Sequence, residues 1–269
     1  MDITRWDSGS AWAETVRREP APQLEGHVSS YYAFREAGPA PIRRREGPGV
    51  DVVVVLAFAD GWAIDDERHT SFVAGLYERQ VFTENGGSAD GMQINLSPLA
   101  AHRLFRVPMR TLAHRTVALE DVFGSGADLL VEQLAELDDA TRFDLLDSLL
   151  SARLTDAKPL DAGVAWALGR LDATQGRVPV ARLAAELGWS RKRLVARFQE
   201  QIGLPPKAVA RLLRFEHARE LGARPDRSSW AEIALECGYY DQSHLINEFR
   251  AVTGRTPVTF FQDTAAAAA

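Results

Sequence analysis

Lys192, Val195, Ala196 and Gln199 fall on one side of a helical wheel, and Ser243, Ile246, Asn247 and Arg250 fall on one side of another. Both wheels follow from the 100° step per residue once Leu194 and Phe198, or Leu245 and Phe249, are taken as inward-facing. The outward groups are of the kind that read base edges in the major groove of DNA. A lysine donates to guanine O6 or N7, an asparagine pairs bidentately with adenine, and Val195, Ala196 or Ile246 can pack on a thymine methyl. Arg250 can read guanine or hold a phosphate. Ser190, Arg191, Arg193 and Arg197 surround the first set, with Arg193 and Arg197 on flanks suited to phosphates. Gln242 and His244 stand near the start of the second helix, the end by which recognition helices usually enter the groove. Val195 and Ile246 are equally compatible with partly buried scaffold. His244 also suits a capping or phosphate-contact role, and Cys237 reads as a small inert core residue.

These residues need elements to position them, and the pattern supplies the same arrangement twice. Val180–Phe198 and Trp230–Phe249 each read as a short apolar helix, a glycine (Gly188, Gly238), an aromatic residue and a second helix opened by small or polar side chains. The glycine permits the left-handed turn that lets the second helix leave steeply. Between the two units, Pro205 to about Ala223 predicts a helix of about 19 residues, hence ~28 Å long. Successive major-groove faces lie ~34 Å apart, so such a spacer would let one chain read two adjacent segments of a duplex.

The charge distribution agrees. The chain of 269 residues carries a net charge of −6, which does not suit a polyanion until it is divided. Residues 1–159 hold −9 and residues 160–269 hold +3. Arg191, Lys192, Arg193, Arg197, Lys207, Arg211, Arg214 and Arg219 lie within one short stretch, against only Glu200 and Glu216. Positive charge is therefore local, where phosphates would need it. The length predicts two domains. One cysteine excludes an internal disulfide and suits a reducing compartment. The N-terminus lacks an apolar run of signal-peptide type, and the longest apolar run, Val52–Ala59, is too short to span a membrane. A cytoplasmic protein without membrane association is expected.

The first half reads as strands with helices. Val50–Phe58 is β-branched and nearly continuous, as in a buried strand, followed by a hairpin-type turn at Asp60-Gly61. Arg79–Thr83 predicts a strand, Asn85-Gly86-Gly87 a turn, and the alternation in Gly91–Leu96 a half-buried strand. Ser97-Pro98 opens a short helix through Phe105. From Ser125 to Leu154 the period becomes helical, with stripes at Leu129, Leu130, Leu134, Leu137 and at Phe143, Leu146, Leu149, Leu150. The domain boundary is placed near 157–161.

The C-terminal pattern resembles the AraC/XylS family of bacterial transcription regulators over about Asp161 to Phe261. The residues that carry it are Ile233-Ala234, Cys237-Gly238-Tyr239, Gln242-Ser243-His244-Leu245, Phe249 and Thr253-Gly254-Arg255-Thr256-Pro257. The resemblance implies a seven-helix DNA-binding domain, two subdomains on a linker helix, binding near promoters, contact with RNA polymerase, and mostly activation. In better-known members the first recognition helix carries larger polar residues where this chain has Val195 and Ala196. Discrimination would then rest more on the second helix or on DNA shape. Gly75-Leu76-Tyr77, Asn95–Leu99 and His102–Phe105 resemble the N-terminal halves of a subgroup of these regulators. In the family that half is commonly a sensor or dimerisation module, often a cupin-like β-barrel.

The expected architecture is a strand-rich α+β domain over 1–158, cupin-like by that resemblance. An all-α tandem helix-turn-helix domain follows over 159–263, then a disordered tail over 264–269. No catalytic residue, cofactor or metal is assigned. The six histidines show no metal-ligand spacing, and phosphate loops and nucleophile elbows are absent. As a sensor, the first domain would bind a small-molecule effector in an apolar pocket lined by Phe58, Trp62, Phe72, Tyr77 and Phe82. As a scaffold it would form a homodimer through the Leu129–Leu150 stripes. The rival function is a protein-interaction adaptor whose helical domain does not read DNA.

Overall fold

The computed structural model describes residues 1–267, with side-chain surroundings as far as Gln262. The tail expected from residue 264 lies outside those side chains. The backbone helix Pro257–Ala267 runs through residues 264–267 of that expected tail, which corrects its start, and residues 268–269 lie outside the described residues.

The first half holds β1 (Asp2–Asp7), β2 (Trp12–Arg18), β3 (Val28–Ala37), β4 (Ile42–Glu46), β5 (Val52–Ala57), β6 (Trp62–Ile64), β7 (Glu67–His69), β8 (Phe72–Ala74), β9 (Val81–Asn85) and β10 (Ser88–Leu96). Helix α1 (Pro98–Phe105), β11 (Thr116–Ala118), α2 (Leu119–Phe123), α3 (Ala127–Ala135) and α4 (Asp139–Thr155) complete it. The strands make a seven-stranded sheet, ordered β1-β2-β3-β10-β5-β8-β11, and a four-stranded sheet, ordered β4-β9-β6-β7. Every described pairing is antiparallel.

β5 explains why its residues are almost all apolar. Val52, Val54 and Leu56 point into the main core, while Val55 points the other way, into a smaller cluster with Trp62, Ile64, Phe72 and Ala89. With both faces covered, alternation disappears. The turns at Asp60-Gly61 and Asn85-Gly86-Gly87 are present, but each carries the chain from one sheet to the other. The expectation of a hairpin at Asp60 is corrected accordingly: β5 pairs with β10 and β8, never with β6. A true two-residue hairpin joins β6 to β7 at Asp65-Asp66, both with positive φ (46° and 73°) as a type I′ turn demands.

Helix α1 begins as its sequence dictates. Ser97 caps it by accepting from the Ala100 N–H at 3.3 Å, with Pro98 as first helical residue. On α4, Phe143, Leu146 and Leu150 are buried, and Tyr31 of β3 stacks on Phe143 at 5.1 Å. The stripe on α3 is narrower than its periodicity suggested. Leu134 is buried, but Leu129 is 68% exposed. Buried Arg142 of α4 instead closes the end of α3, donating to the carbonyls of Leu134 and Ala135 at 2.7 and 2.9 Å.

After the 156–161 segment the chain is helical: α5 (Ala162–Ala173), α6 (Val180–Glu186), α7 (Arg191–Gln201), α8 (Pro206–Ala223), α9 (Trp230–Glu236), α10 (Gln242–Thr253) and α11 (Pro257–Ala267). The main core is continuous from Val16 to Leu213, so α5, α6 and α7 share it with the sheets. A separate core of Phe215, Trp230, Ile233, Leu245, Phe249 and their neighbours holds α9 and α10.

Candidate nucleic-acid interface

Two helix pairs, α6–α7 and α9–α10, turn at glycines in the left-handed region, Gly188 (φ +63°) and Gly238 (φ +78°). Each second helix has a side-chain cap. Ser190 accepts from the Arg193 N–H at 3.2 Å, and Asp241 accepts from the His244 N–H at 2.8 Å. The inward positions are those the wheels required: Leu194, Phe198, Leu245 and Phe249 are each fully buried. Helix α8, of 18 residues, joins the two units and spans ~27 Å.

On α7, Arg191, Lys192, Arg193 and Ala196 are exposed, and Val195 and Gln199 are half-buried. Ser190 is exposed but committed to its cap. Arg193 lies over the Trp189 ring at 4.5 Å, which fixes it on the flank. Arg197 is engaged inside the protein. It reaches Asp161 at 3.0 Å and Glu200 at 2.6 Å, so its charge is already paired. Burial works against the Asp161 carboxylate, yet Arg197 and the backbone N–H groups of Gly163 and Val164 outweigh it and hold its pKa below the usual range.

On α10, Gln242, Ser243, His244, Asn247 and Arg250 are exposed and Ile246 is half-buried. The His244 ring meets Tyr239 edge-on at 5.3 Å, and its Nδ1 accepts from the Tyr240 N–H at 3.4 Å. It thus braces the turn. Cys237 is fully buried and its thiol is pushed up to about 12 by burial, which removes thiolate chemistry at neutral pH.

Sequence reasoning missed two features. Tyr240 is 87% exposed just before α10, whereas adjacent Tyr239 is 3% exposed. The dipeptide offers no signal to tell them apart; only the turn geometry does. Arg177 was given no role and Lys207 and Arg214 only a share in general basicity. The fold brings all three to one cleft with Arg191.

The five aromatics expected to line an effector pocket do not share a cavity. Trp62 and Phe72 belong to the small core between the sheets. Phe58 lies under the Arg142 guanidinium at 4.4 Å. The Tyr77 hydroxyl bonds Thr116 at 3.0 Å, and Phe82 is exposed beneath Arg43 and Arg45. A cavity of about 300 Å³ lies elsewhere, between Leu104, Phe105, Arg106, Val122, Phe123 and Arg153. Among the described residues no cluster of His, Cys, Asp or Glu is arranged to hold a metal, and no helix is long and apolar enough to cross a membrane.

Residues 183–263 match the protein-family model described as "Helix-turn-helix domain". No curated protein matches the chain. Among solved structures, the chain is similar to ToxT from Vibrio cholerae strain SCE256 with an unsaturated fatty acid bound. Identity there is 13%, with 90% of this chain and 96% of that one covered and a TM-score of 0.47. ToxT from Vibrio cholerae O395, bound to (E)-4-(8-methylnaphthalen-1-yl)but-3-enoic acid, gives 12%, 87%, 98% and 0.46. The AraC-like transcriptional activator CuxR gives 13%, 73%, 80% and 0.33. The match covers both the turn at Gly188 and the turn at Gly238, and residues 183–263 therefore make up a helix-turn-helix domain.

Proposed function

We propose that this chain is a cytoplasmic, sequence-specific transcription regulator that reads double-stranded DNA with α7 and α10. The observation that carries this reading is the pair of capped helices with exposed polar starts, held on one 18-residue helix. Lys192 and Asn247 are the base readers. Arg191, Arg193, Gln199, Gln242, Ser243 and Arg250 supply groove and phosphate contacts, and Ala196, Val195 and Ile246 supply apolar ones. Arg197, Ser190 and His244 act by holding their turns and helices in place.

The N-terminal half, in this reading, governs how the heads are presented, through a small-molecule effector or a homodimer. RNA polymerase is the partner at the promoter. Domain order supports this part, and no catalytic step is assigned to any residue.

The test is selection of bound fragments from genomic DNA at physiological salt, beside a Lys192→Ala/Asn247→Ala variant. A motif in two blocks about one helical turn apart, lost in the variant, is expected. No enrichment over random fragments, with or without cell extract, would reject DNA reading in favour of an adaptor role.

A further inference from the structure

Between the first head and the connecting helix α8 lies a cleft of about 470 Å³ whose charged walls are Arg177, Arg191, Lys207 and Arg214. Pro179 and Val180 lie among its apolar lining. No carboxylate lines it among the described residues, and none of the four cations forms an ion pair there. Two of them are held by backbone carbonyls. Arg214 donates to Gly176 O at 2.8 Å, and Arg177 donates to Thr174 O at 3.1 Å with Glu236 O at 3.4 Å. Arg214 Nε is buried without a partner. Carbonyl contacts orient a guanidinium but leave its charge uncompensated. Four like charges around one concavity repel one another unless an anion joins them.

The position of the cleft says which anion. Arg191 is the first residue of α7. Arg177 packs against the turn that leads toward α10, where a Cβ on Gly238 would stand 3.0 Å from its Cγ. The cleft therefore opens beside the start of recognition helix α7, and its Arg177 wall reaches the turn that precedes recognition helix α10. With those helices in successive major-groove segments, the stretch of duplex facing the cleft is the intervening one, which presents sugar–phosphate backbone.

We infer that Arg177, Arg191, Lys207 and Arg214 form a clamp for backbone phosphates of the DNA between the two blocks read by the heads. The inference rests on the DNA reading proposed above. The clamp adds affinity without sequence preference and sets the register of one head against the other.

Lys207 and Arg191 are exposed and hold no other element, so they are the residues to change. The full-length chain is titrated with a mixed-sequence 30-bp duplex over a range of salt, as wild type, Lys207→Gln, Arg191→Gln/Lys207→Gln, and Lys158→Gln as an exposed cation outside the cleft. Thermal melts check that every variant is folded. The magnitude of the slope of log Kobs against log salt should fall by about one for each cleft cation removed and stay at the wild-type value in Lys158→Gln. In the duplex recovered by selection, a neutral methylphosphonate midway between the blocks should weaken wild type several-fold and the double variant hardly at all. A steep wild-type slope that the double variant leaves unchanged, or that Lys158→Gln lowers equally, overturns the clamp while DNA binding stands. A flat or absent wild-type slope overturns DNA binding itself. Inorganic pyrophosphate that raises the melting temperature of wild type but not of the double variant, with equal slopes, would reassign the cleft to a free polyphosphate.

Discussion

Arg211, in the first third of the helix that joins the two heads, donates to Glu78 of the N-terminal half at 2.8 Å and lies 3.7 Å from Glu248 of α10. One guanidinium thus stands among the sheet domain, the connecting helix and the second recognition helix. A backbone bond from Gln80 N–H to Val252 O, at 3.0 Å, lies alongside. Because the pair is partly exposed, Arg211→Ala should cost only about 0.5–1 kcal/mol of stability. Its main effect should be local: amide exchange at Gln80 should speed severalfold while the strands of the large sheet keep their protection. Unchanged exchange at Gln80 would show that the ion pair does not hold this junction.

Asp161 joins two tasks, since the same carboxylate caps α5 through the Gly163 N–H at 2.9 Å and binds Arg197. Asp161→Ala should lose about 1–2 kcal/mol, mostly the cap. Asp161→Asn should keep much of the cap and lose the ion pair. The folded-state pKa is held below its unfolded value. The contribution is therefore fully present above the unfolded carboxylate pKa and is lost as pH falls from there through the lower folded one. Melting temperatures of wild type and Asp161→Asn should converge between pH 6 and pH 3; parallel curves would exclude this linkage.

Glu216 of α8 behaves in the opposite sense. Burial is the main cause of a pKa pushed up to about 7; Arg219 opposes the rise, and Asp51, Glu220 and Asp172 add to it. Gly49 presses close, with a Cβ there falling 3.4 Å from Glu216 Oε1. Asp51, from the same loop, is also raised, again chiefly by burial. A raised carboxylate gives full stability below its unfolded pKa and loses it as pH rises through the folded one. The wild-type melting temperature should fall between pH 4.5 and pH 7, by roughly 2–4 °C for each kcal/mol lost. Glu216→Gln should flatten that fall. Equal slopes in both proteins would remove Glu216 as its source.

Two glycines separate backbone strain from lack of room. Gly188 (φ +63°) has nothing within 4 Å of an added Cβ, whereas Gly176 (φ +73°) would place it 2.0 Å from Ala210 O. Gly188→Ala should cost about 1–2 kcal/mol, the left-handed penalty alone. Gly176→Ala must also move the loop off α8, and should cost at least ~1 kcal/mol more. Denaturant midpoints of the two variants give the comparison directly, and equal losses would mean that the loop yields freely.

The helical half was largely legible because its signals are local. Gly188, Gly238, Ser190 and the spacing of Leu194 with Phe198 or Leu245 with Phe249 each depend on a few neighbouring residues. The DNA-facing residues were legible as faces but not as free groups: nothing near Arg197 in the chain announces Asp161, 36 residues away. Strand content was legible where burial was two-sided, as in β5. β1 to β4 went unread because their charged and apolar residues follow no single period. Sheet partners were invisible for a related reason. A turn sequence such as Asp60-Gly61 reports a reversal, and only long-range packing decides whether the chain returns to its neighbour or crosses to another sheet. The cleft was hidden in the same way, since Arg177, Arg191, Lys207 and Arg214 come from separate elements.

The break in apolar packing between Leu213 and Phe215 bears on how this protein could be recombined with its relatives. A chimera joined at the 156–161 segment would set a foreign first head against Met109, whose carbonyl lies 3.1 Å from a Cβ built on Gly203. Both new surfaces would have to be refitted. A junction inside α8 instead moves the first head together with its sheets and exchanges only α9 to α11. The natural cassette for grafting a new response onto a new operator is therefore the second head alone.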